Sequence, residues 1–258
     1  MANLKEEFAR LCQIVAQLRA PGGCPWDREQ THDSLAPKLL EEAYEVVHAI
    51  RENDEANLRE ELGDVLLLVV MQAEIAREAG RFSIGEILHE VTEKLIRRHP
   101  HVFGDSEVSE SEGVVRQWEA IKHGEKTRKH YLEGVAAALP ALMRAEKIQK
   151  KAARVHFDWN NVADVIAKVD EELGEAKAAV ESGDREQITD EIGDLLFAVT
   201  NLARKCDLDA ESTLRSATDK FVTRFNELED RVRASGKQLG DLPLEQLDEI
   251  WNAIKADR

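Results

Sequence analysis

Apolar residues recur at helical spacing along almost the whole chain, as in Leu4, Phe8, Leu11, Val15 and Leu18. The interruptions are turn-forming. Pro21-Gly22-Gly23-Cys24-Pro25 ends the first predicted helix, Glu52-Asn53-Asp54 makes a turn, and Gly80 closes the helix that holds Val65 to Met71. Ser83, with Glu86 three residues later, has the form of a capping box and opens another helix. The stretch from His99 to Glu112 contains Pro, Gly and Ser with little periodicity and is predicted to be loop. Gly124 to Gly134 is polar and basic, has no apolar face, and is the predicted linker.

A search for internal repeats sharpens this pattern. Glu42, Glu45, Glu61 and Asp64 are followed, at a constant offset of 130, by Glu172, Glu175, Glu191 and Asp194. Lys38 and Lys168 each precede the first carboxylate by four; Lys94-x-x-x-Arg98 answers Lys220-x-x-x-Arg224, and Trp118-Glu-Ala-Ile-Lys122 answers Trp251-Asn-Ala-Ile-Lys255. The predicted architecture is all-α: two tandem four-helix domains from an internal duplication, residues 1–123 and 135–258, joined by a linker at 124–134.

Composition agrees with that class. The 258 residues suit two domains, 5% aromatics with 14 Gly and 6 Pro argue against a β-sandwich, and Ala, Leu, Glu, Lys and Arg dominate. With 35 Lys+Arg against 51 Asp+Glu, the net charge of −16 repels nucleic-acid backbone and anionic membrane. It leaves room for a small phosphate ligand, which an acidic site binds through a divalent metal. Cys12, Cys24 and Cys206 are widely separated and odd in number, with neither disulfide nor zinc spacing. The N-terminus lacks the apolar core of a signal peptide and Val65 to Met71 is too short to span a bilayer, so cytoplasmic residence is the expectation.

The chemistry is carried by the carboxylates. Residues three apart share a helix face, so Glu42 points with Glu45, and Glu61 with Asp64. The pairs mirror each other about Asn53, and their counterparts about Gly183. An antiparallel helical hairpin folded at those turns brings all four carboxylates together. Four close negative charges repel, and a hard divalent cation relieves the repulsion; an oxygen-only donor set suits Mg²⁺, with Mn²⁺ as a substitute. Lys220 and Arg224 read either as surface helix residues or as ligand contacts. Trp118 and Trp251 read as packing residues or as stacking platforms. Cys24-Pro25-Trp26-Asp27 reads as site-like or as a tight loop held by a buried Trp, and His99 and His101 read as structural. Neither a Gly-x-x-x-x-Gly-Lys phosphate loop nor a Gly-x-Ser-x-Gly elbow is present.

Glu-Glu-x-x-Glu followed by Glu-x-x-Asp on a helical hairpin resembles the MazG nucleotide pyrophosphohydrolases, within the all-α NTP pyrophosphatase group. Cys24-Pro25-Trp26-Asp27 near the start, with His156-Phe157-Asp158-Trp159 opening the second copy, makes the chain similar to the tandem-domain bacterial members. The resemblance implies Mg²⁺-dependent hydrolysis of ribo- and deoxynucleoside triphosphates to monophosphate and pyrophosphate, with broad base tolerance, in nucleotide-pool house-cleaning. It also implies a homodimer. Carried onto this chain, the metal ligands are Glu172, Glu175, Glu191 and Asp194, with first-copy counterparts Glu42, Glu45, Glu61 and Asp64. Glu172 and Glu175 are the candidate catalytic carboxylates. The candidate substrate contacts are Lys168, Glu171, Glu172, Glu175, Asp190, Asp194, Lys220, Arg224 and Trp251, with Trp251 near the base or sugar. A narrower dUTP or phosphoribosyl-nucleotide pyrophosphohydrolase and a non-catalytic acidic helical interaction protein are the alternatives. The apolar faces that include Leu66, Val69, Val70, Leu195, Ala198 and Leu202 are expected to be covered by another copy or another chain. The second copy is expected to carry most of the activity, because Arg98 is followed by His99-Pro100 and lies at a helix end where placement is looser.

Overall fold

Helix α1 (Leu4–Arg19) starts where the Asn3 side chain accepts the Lys5 N–H and stops before the Pro21-Gly22-Gly23 turn. The short α2 (Pro25–Glu29) begins at Pro25, whose missing N–H is harmless in a first turn. The computed structural model describes residues 3–106, 110–125 and 129–256, without the side chains of 111, 112, 116, 119 and 123. These residues divide into two compact units, Met1–Thr127 and Arg128–Arg258. No strand occurs among the described residues, and none of the helices is long and apolar enough to cross a membrane.

The first unit continues with α3 (His32–Glu52), α4 (Glu55–Glu78), α5 (Ile84–Arg98), α6 (Pro100–Phe103) and α7 (Ser111–Gly124). The second contains α8 (Ala141–Ala153), α9 (Val162–Ser182), α10 (Arg185–Lys205), α11 (Ala210–Ala234), a 3₁₀ turn at Leu239–Asp241 and α12 (Leu244–Ala256). The packing order is duplicated as well. The α3–α4 hairpin is matched by α9–α10; α1 packs on α4 as α8 packs on α10, and α5 packs on α4 and α7 as α11 packs on α10 and α12. Each unit therefore adds to the expected four long helices a further one, carrying Trp118 or Trp251, and the first unit also has the short α2 and α6.

Both hairpins turn in two residues. Asn53 (φ 55°) and Gly183 (φ 73°) take the left-handed conformation that ends a helix. Asp54 and Asp184 then cap the next helix, each accepting two backbone N–H groups. Ser83 and Glu86 form the expected capping box.

Two expectations are corrected, and one helix ends inside the predicted linker. The stretch 99–112 is not uniformly loop: Pro100 starts α6 and α7 begins at Ser111, with residues 107–109 outside the described residues. In the segment 124–134, Gly124 belongs to α7 and Glu125 caps it; residues 126–128 lie outside the described residues. Trp26 is 54% exposed, so no buried tryptophan holds its loop. Arg19, 9% exposed, does so instead, donating to the Asp27 and Gln30 carbonyls while pairing with Glu78 at 2.9 Å.

The first core gathers Val15, Leu35, Leu68, Val70 and Met71; the second gathers Leu228, Val232 and Ile254, with Trp251 packed against it. Val70 and Ala198 are buried, contrary to the face expected to await another copy. The apolar side chains left exposed on the hairpins include Leu40, Leu62 and Leu66 in the first unit and Ile192, Leu196 and Phe197 in the second. Leu35 is 1% exposed, and Leu35→Ala is expected to cost about 2–5 kcal/mol, read as a lowered midpoint in chemical denaturation with the slope unchanged.

Candidate functional site

One helical turn separates Glu42 from Glu45 on α3, and the antiparallel α4 sets Glu61 opposite them. One carboxylate oxygen from each of the three lies within 4.8 Å of the others. Glu172, Glu175 and Glu191 form the same cluster between α9 and α10, also within 4.8 Å. Asp64 and Asp194, the fourth expected members, stand outside these triplets, although their charges act on Glu42 and Glu191 respectively.

The electrostatics of the clusters follow from crowding. Partial burial, a hydrogen bond with Glu45 and the charges of Glu45, Asp64 and Glu61 push Glu42 up to about 7. Burial and the charge of Glu45 raise Glu61. Burial, with the charges of Glu175, Asp194, Glu172 and Asp190, raises Glu191. Glu172 is 6% exposed, and its Oε2 is buried without a hydrogen-bond partner. A buried carboxylate oxygen without a donor, among oxygen-only neighbours, fits a hard divalent cation such as Mg²⁺.

The cations around the two clusters differ. Lys168 pairs with Glu172 at 2.6 Å and with Glu171 at 2.9 Å, and these bonds hold its ammonium charged well above the usual lysine range. In the first unit Lys38 reaches only Glu41 among the described residues, at 3.8 Å. Asp190 and Lys220 are exposed, on α10 and α11. Arg224, one turn beyond Lys220, is half-buried, and its Nε has no partner among the described residues. Trp251 packs against Phe221 with ring centroids 5.2 Å apart, so it combines the packing role with a position beside the Lys220–Arg224 helix face.

The first unit treats the equivalent arginine otherwise. Glu125 accepts from Arg97 at 2.8 Å and also from Arg98, and these bonds hold its carboxyl down at about 2. The Arg98 guanidinium lies 5.2 Å from the Trp118 ring centre and the Lys122 ammonium 4.6 Å from it. Arg98 is therefore not loosely placed, as its position before His99-Pro100 suggested. Glu125 and Arg97 were missed in the sequence because Glu125 fell in the predicted linker; its place seven residues after Trp118 was the available signal.

The remaining expected residues lie outside the two acidic clusters. His99 and His101 have ring centroids 5.6 Å apart and belong to neither acidic cluster. Asp158 pairs with Arg204 at 2.6 Å and Lys205 at 2.8 Å, beside a left-handed His156 (φ 62°) and an exposed Phe157.

Comparison with known proteins places these features in a family. The MazG nucleotide pyrophosphohydrolase domain matches residues 30–103 and 160–228, spanning both acidic clusters, Lys94, Arg98, Lys220 and Arg224 but neither Trp118 nor Glu125. The nucleoside triphosphate pyrophosphohydrolase/pyrophosphatase MazG of Thermotoga maritima is 47% identical over 96% of this chain and 95% of its own length. The nucleoside triphosphate pyrophosphohydrolase of Escherichia coli K12 is 46% identical over 96% of this chain and 97% of its own. That of Mycobacterium tuberculosis is 35% identical over 93% of this chain and 63% of its own length.

The raised carboxyls generate a pH prediction. Folded Glu42, Glu61 and Glu191 bind protons more tightly than unfolded glutamate does, so their contribution is greatest below the ordinary value of 4.5 and is lost as pH rises through their raised values, which for Glu42 is about 7. The depressed Glu125 works oppositely and in a lower window, its contribution lost as pH falls towards about 2. In EDTA the protein is expected to melt at a lower temperature at about pH 8 than at about pH 5.5, and Mg²⁺ should remove most of that difference. Thermal denaturation followed by circular dichroism, with Glu42→Gln expected to flatten the slope, checks this.

Proposed function

The chain belongs to the MazG nucleotide pyrophosphohydrolase family, and we propose that it hydrolyses nucleoside triphosphates to monophosphate and pyrophosphate in a Mg²⁺-dependent reaction. The reading extends to ribo- and deoxynucleotides of varied base, and to a nucleotide-pool role in the cytoplasm. The observation that carries the metal requirement is the twice-built carboxylate triplet, with its unpartnered Glu172 Oε2. The triphosphate substrate rests on the names of the full-length relatives.

In this reading Glu172, Glu175, Glu191 and Asp194 hold the metal, and Mn²⁺ substitutes for Mg²⁺. Bound there, the ion supplies Lewis-acid polarisation of the α-phosphoryl oxygen and acidifies water. Glu172 and Glu175 are the candidates to accept the proton of the attacking water, being the carboxylates fixed one turn apart on α9. Lys168, now balanced by Glu171 and Glu172, is positioned to turn towards an incoming phosphate. Lys220 and Arg224 offset charge on the pyrophosphate leaving group, and the unpartnered Nε of Arg224 gives that group a donor. Trp251 lies beside them near the base or sugar. Glu171 and Asp190 complete the substrate shell from the adjoining turns of α9 and α10.

The exposed apolar residues of the hairpins support a homodimer, since Leu66, Leu196 and Phe197 remain uncovered in the single chain. Light scattering is expected to give twice 29.1 kDa at micromolar concentration; a stable mass of 29.1 kDa contradicts the dimer.

Activity is expected to vanish in EDTA and return with Mg²⁺ or Mn²⁺, with monophosphate and pyrophosphate as first products by ion-exchange chromatography. Orthophosphate with nucleoside diphosphate would contradict the assignment. Glu172→Ala is expected to lower turnover roughly a hundredfold or more, whereas Glu42→Ala should retain most of it. The reverse pattern assigns catalysis to the first unit, and equal partial losses assign it to both.

A further inference from the structure

The two units are alike at their carboxylates and unlike at their arginines. Lys94 and Arg98 on α5 correspond to Lys220 and Arg224 on α11, yet among the described residues only Arg98 of these four meets an acid. That acid, Glu125, caps the C-terminal end of α7 and closes one side of a cleft of about 500 Å³ lined also by Glu90, Glu93, Lys94, Arg97 and Arg98. The Arg98 and Glu125 side chains are 12% and 17% exposed, so their pairing is shielded from solvent in a way that ordinary surface pairs are not. Glu125 takes Arg97 on Oε1 at 2.8 Å and the Arg98 Nε on Oε2 at 3.1 Å, with the Arg98 Nη2 on Oε2 as well.

A carboxylate held by two guanidinium groups occupies the geometry in which such groups bind a phosphate. The Trp118 ring lies beside Arg98 and Lys122 and restricts where the guanidinium can go. In the second copy the position equivalent to Glu125, seven residues after the tryptophan, is Arg258, a residue of opposite charge. The carboxylate is thus an addition peculiar to the first copy.

We propose that Lys94, Arg97 and Arg98 form a second phosphate-binding subsite, in the first unit, and that Glu125 occupies it as a tethered internal anion. The ligand class is a pyrophosphate or triphosphate group, which binds there only by displacing Glu125. A tethered group competes at an effective concentration on the order of millimolar, so dilute phosphate ligands lose to it. The inference rests on the reading of Lys220 and Arg224 as phosphate contacts.

The test is calorimetric titration of the full chain with inorganic pyrophosphate in Mg²⁺ buffer. Wild type is expected to bind one pyrophosphate per chain, lost in Arg224→Ala and unaffected by Arg98→Ala. Glu125→Gln, which keeps the side-chain shape, is expected to reveal a second site at least roughly tenfold tighter than any residual binding there in wild type, given that competition. Glu125→Gln combined with Arg98→Ala should abolish the second site. One site only in folded Glu125→Gln overturns the proposal, as does a second wild-type site, removed by Arg98→Ala, that is as tight as the site in Glu125→Gln. Should Glu125→Gln fail to fold, Glu125→Asp keeps the charge on a shorter arm and is expected to expose the second site partially; no gain in folded Glu125→Asp then overturns the proposal. Failure of the underlying functional reading looks different: no binding sensitive to Arg224→Ala and no Mg²⁺-dependent hydrolysis in wild type.

Discussion

Mutual repulsion among three carboxylates whose oxygens lie within 4.8 Å of one another is the constraint around which each unit is organised. Such a cluster is unfavourable in a partly buried place unless protons or cations neutralise it. The first unit meets the problem by raising Glu42 and Glu61; the second does so with Lys168 and a raised Glu191. Neither remedy reaches the Glu172 Oε2, which stays buried without a donor. A site that is stable only when neutralised favours occupation by a cation, and this links the fold to the proposed metal chemistry.

What forces the charges together is the brevity of the turns. A left-handed residue followed by an aspartate ends one helix and starts the next in two residues, so α3 and α4, or α9 and α10, run side by side with little freedom to slide. The carboxylates flank each turn at matched distances, and the antiparallel arrangement turns that symmetry into proximity. A longer, looser turn would let the helices shift by a residue and rotate the side chains about 100° away. Helix capping, worth roughly 1 kcal/mol per cap, therefore bears directly on the electrostatics of the site.

These features were legible in the sequence because they are local and periodic: the mirrored spacing, Asn53-Asp54, Gly183-Asp184, and the Ser83–Glu86 box. The all-α duplicated fold follows from the same signals. Less was legible where one long side chain settles the matter across the chain. Arg19 anchors the loop of Trp26 through two carbonyls, a role that periodicity does not encode. Asp64 and Asp194 fit the mirrored pattern yet stand back from the triplets, because sharing a helix face does not bring every side chain on it to one point. Glu125 was hidden for a different reason. The polarity of its segment read as solvated linker, whereas its carboxylate is committed to two arginines.

Duplication lets the two ends of such a site diverge separately. The acidic hairpin must keep its turns, its spacing and its apolar backing to fold at all, so changes there disturb stability as well as chemistry. The arginines sit on the next helix, α5 or α11, and the residues that surround them come from a fifth helix outside the hairpin. One acid at the end of that helix, as at Glu125, alters the charge facing Arg98 without touching a carboxylate of the cluster. The first unit can thus retain a complete metal-type cluster while its phosphate end carries a different partner. In the second unit the same place is left to Arg224, with a buried nitrogen that no described residue satisfies. An unsatisfied donor of that kind costs on the order of 1–3 kcal/mol in the unliganded chain, and an anionic ligand returns that free energy on binding. The unit that keeps its arginine unpaired is less well satisfied alone and better prepared for phosphate.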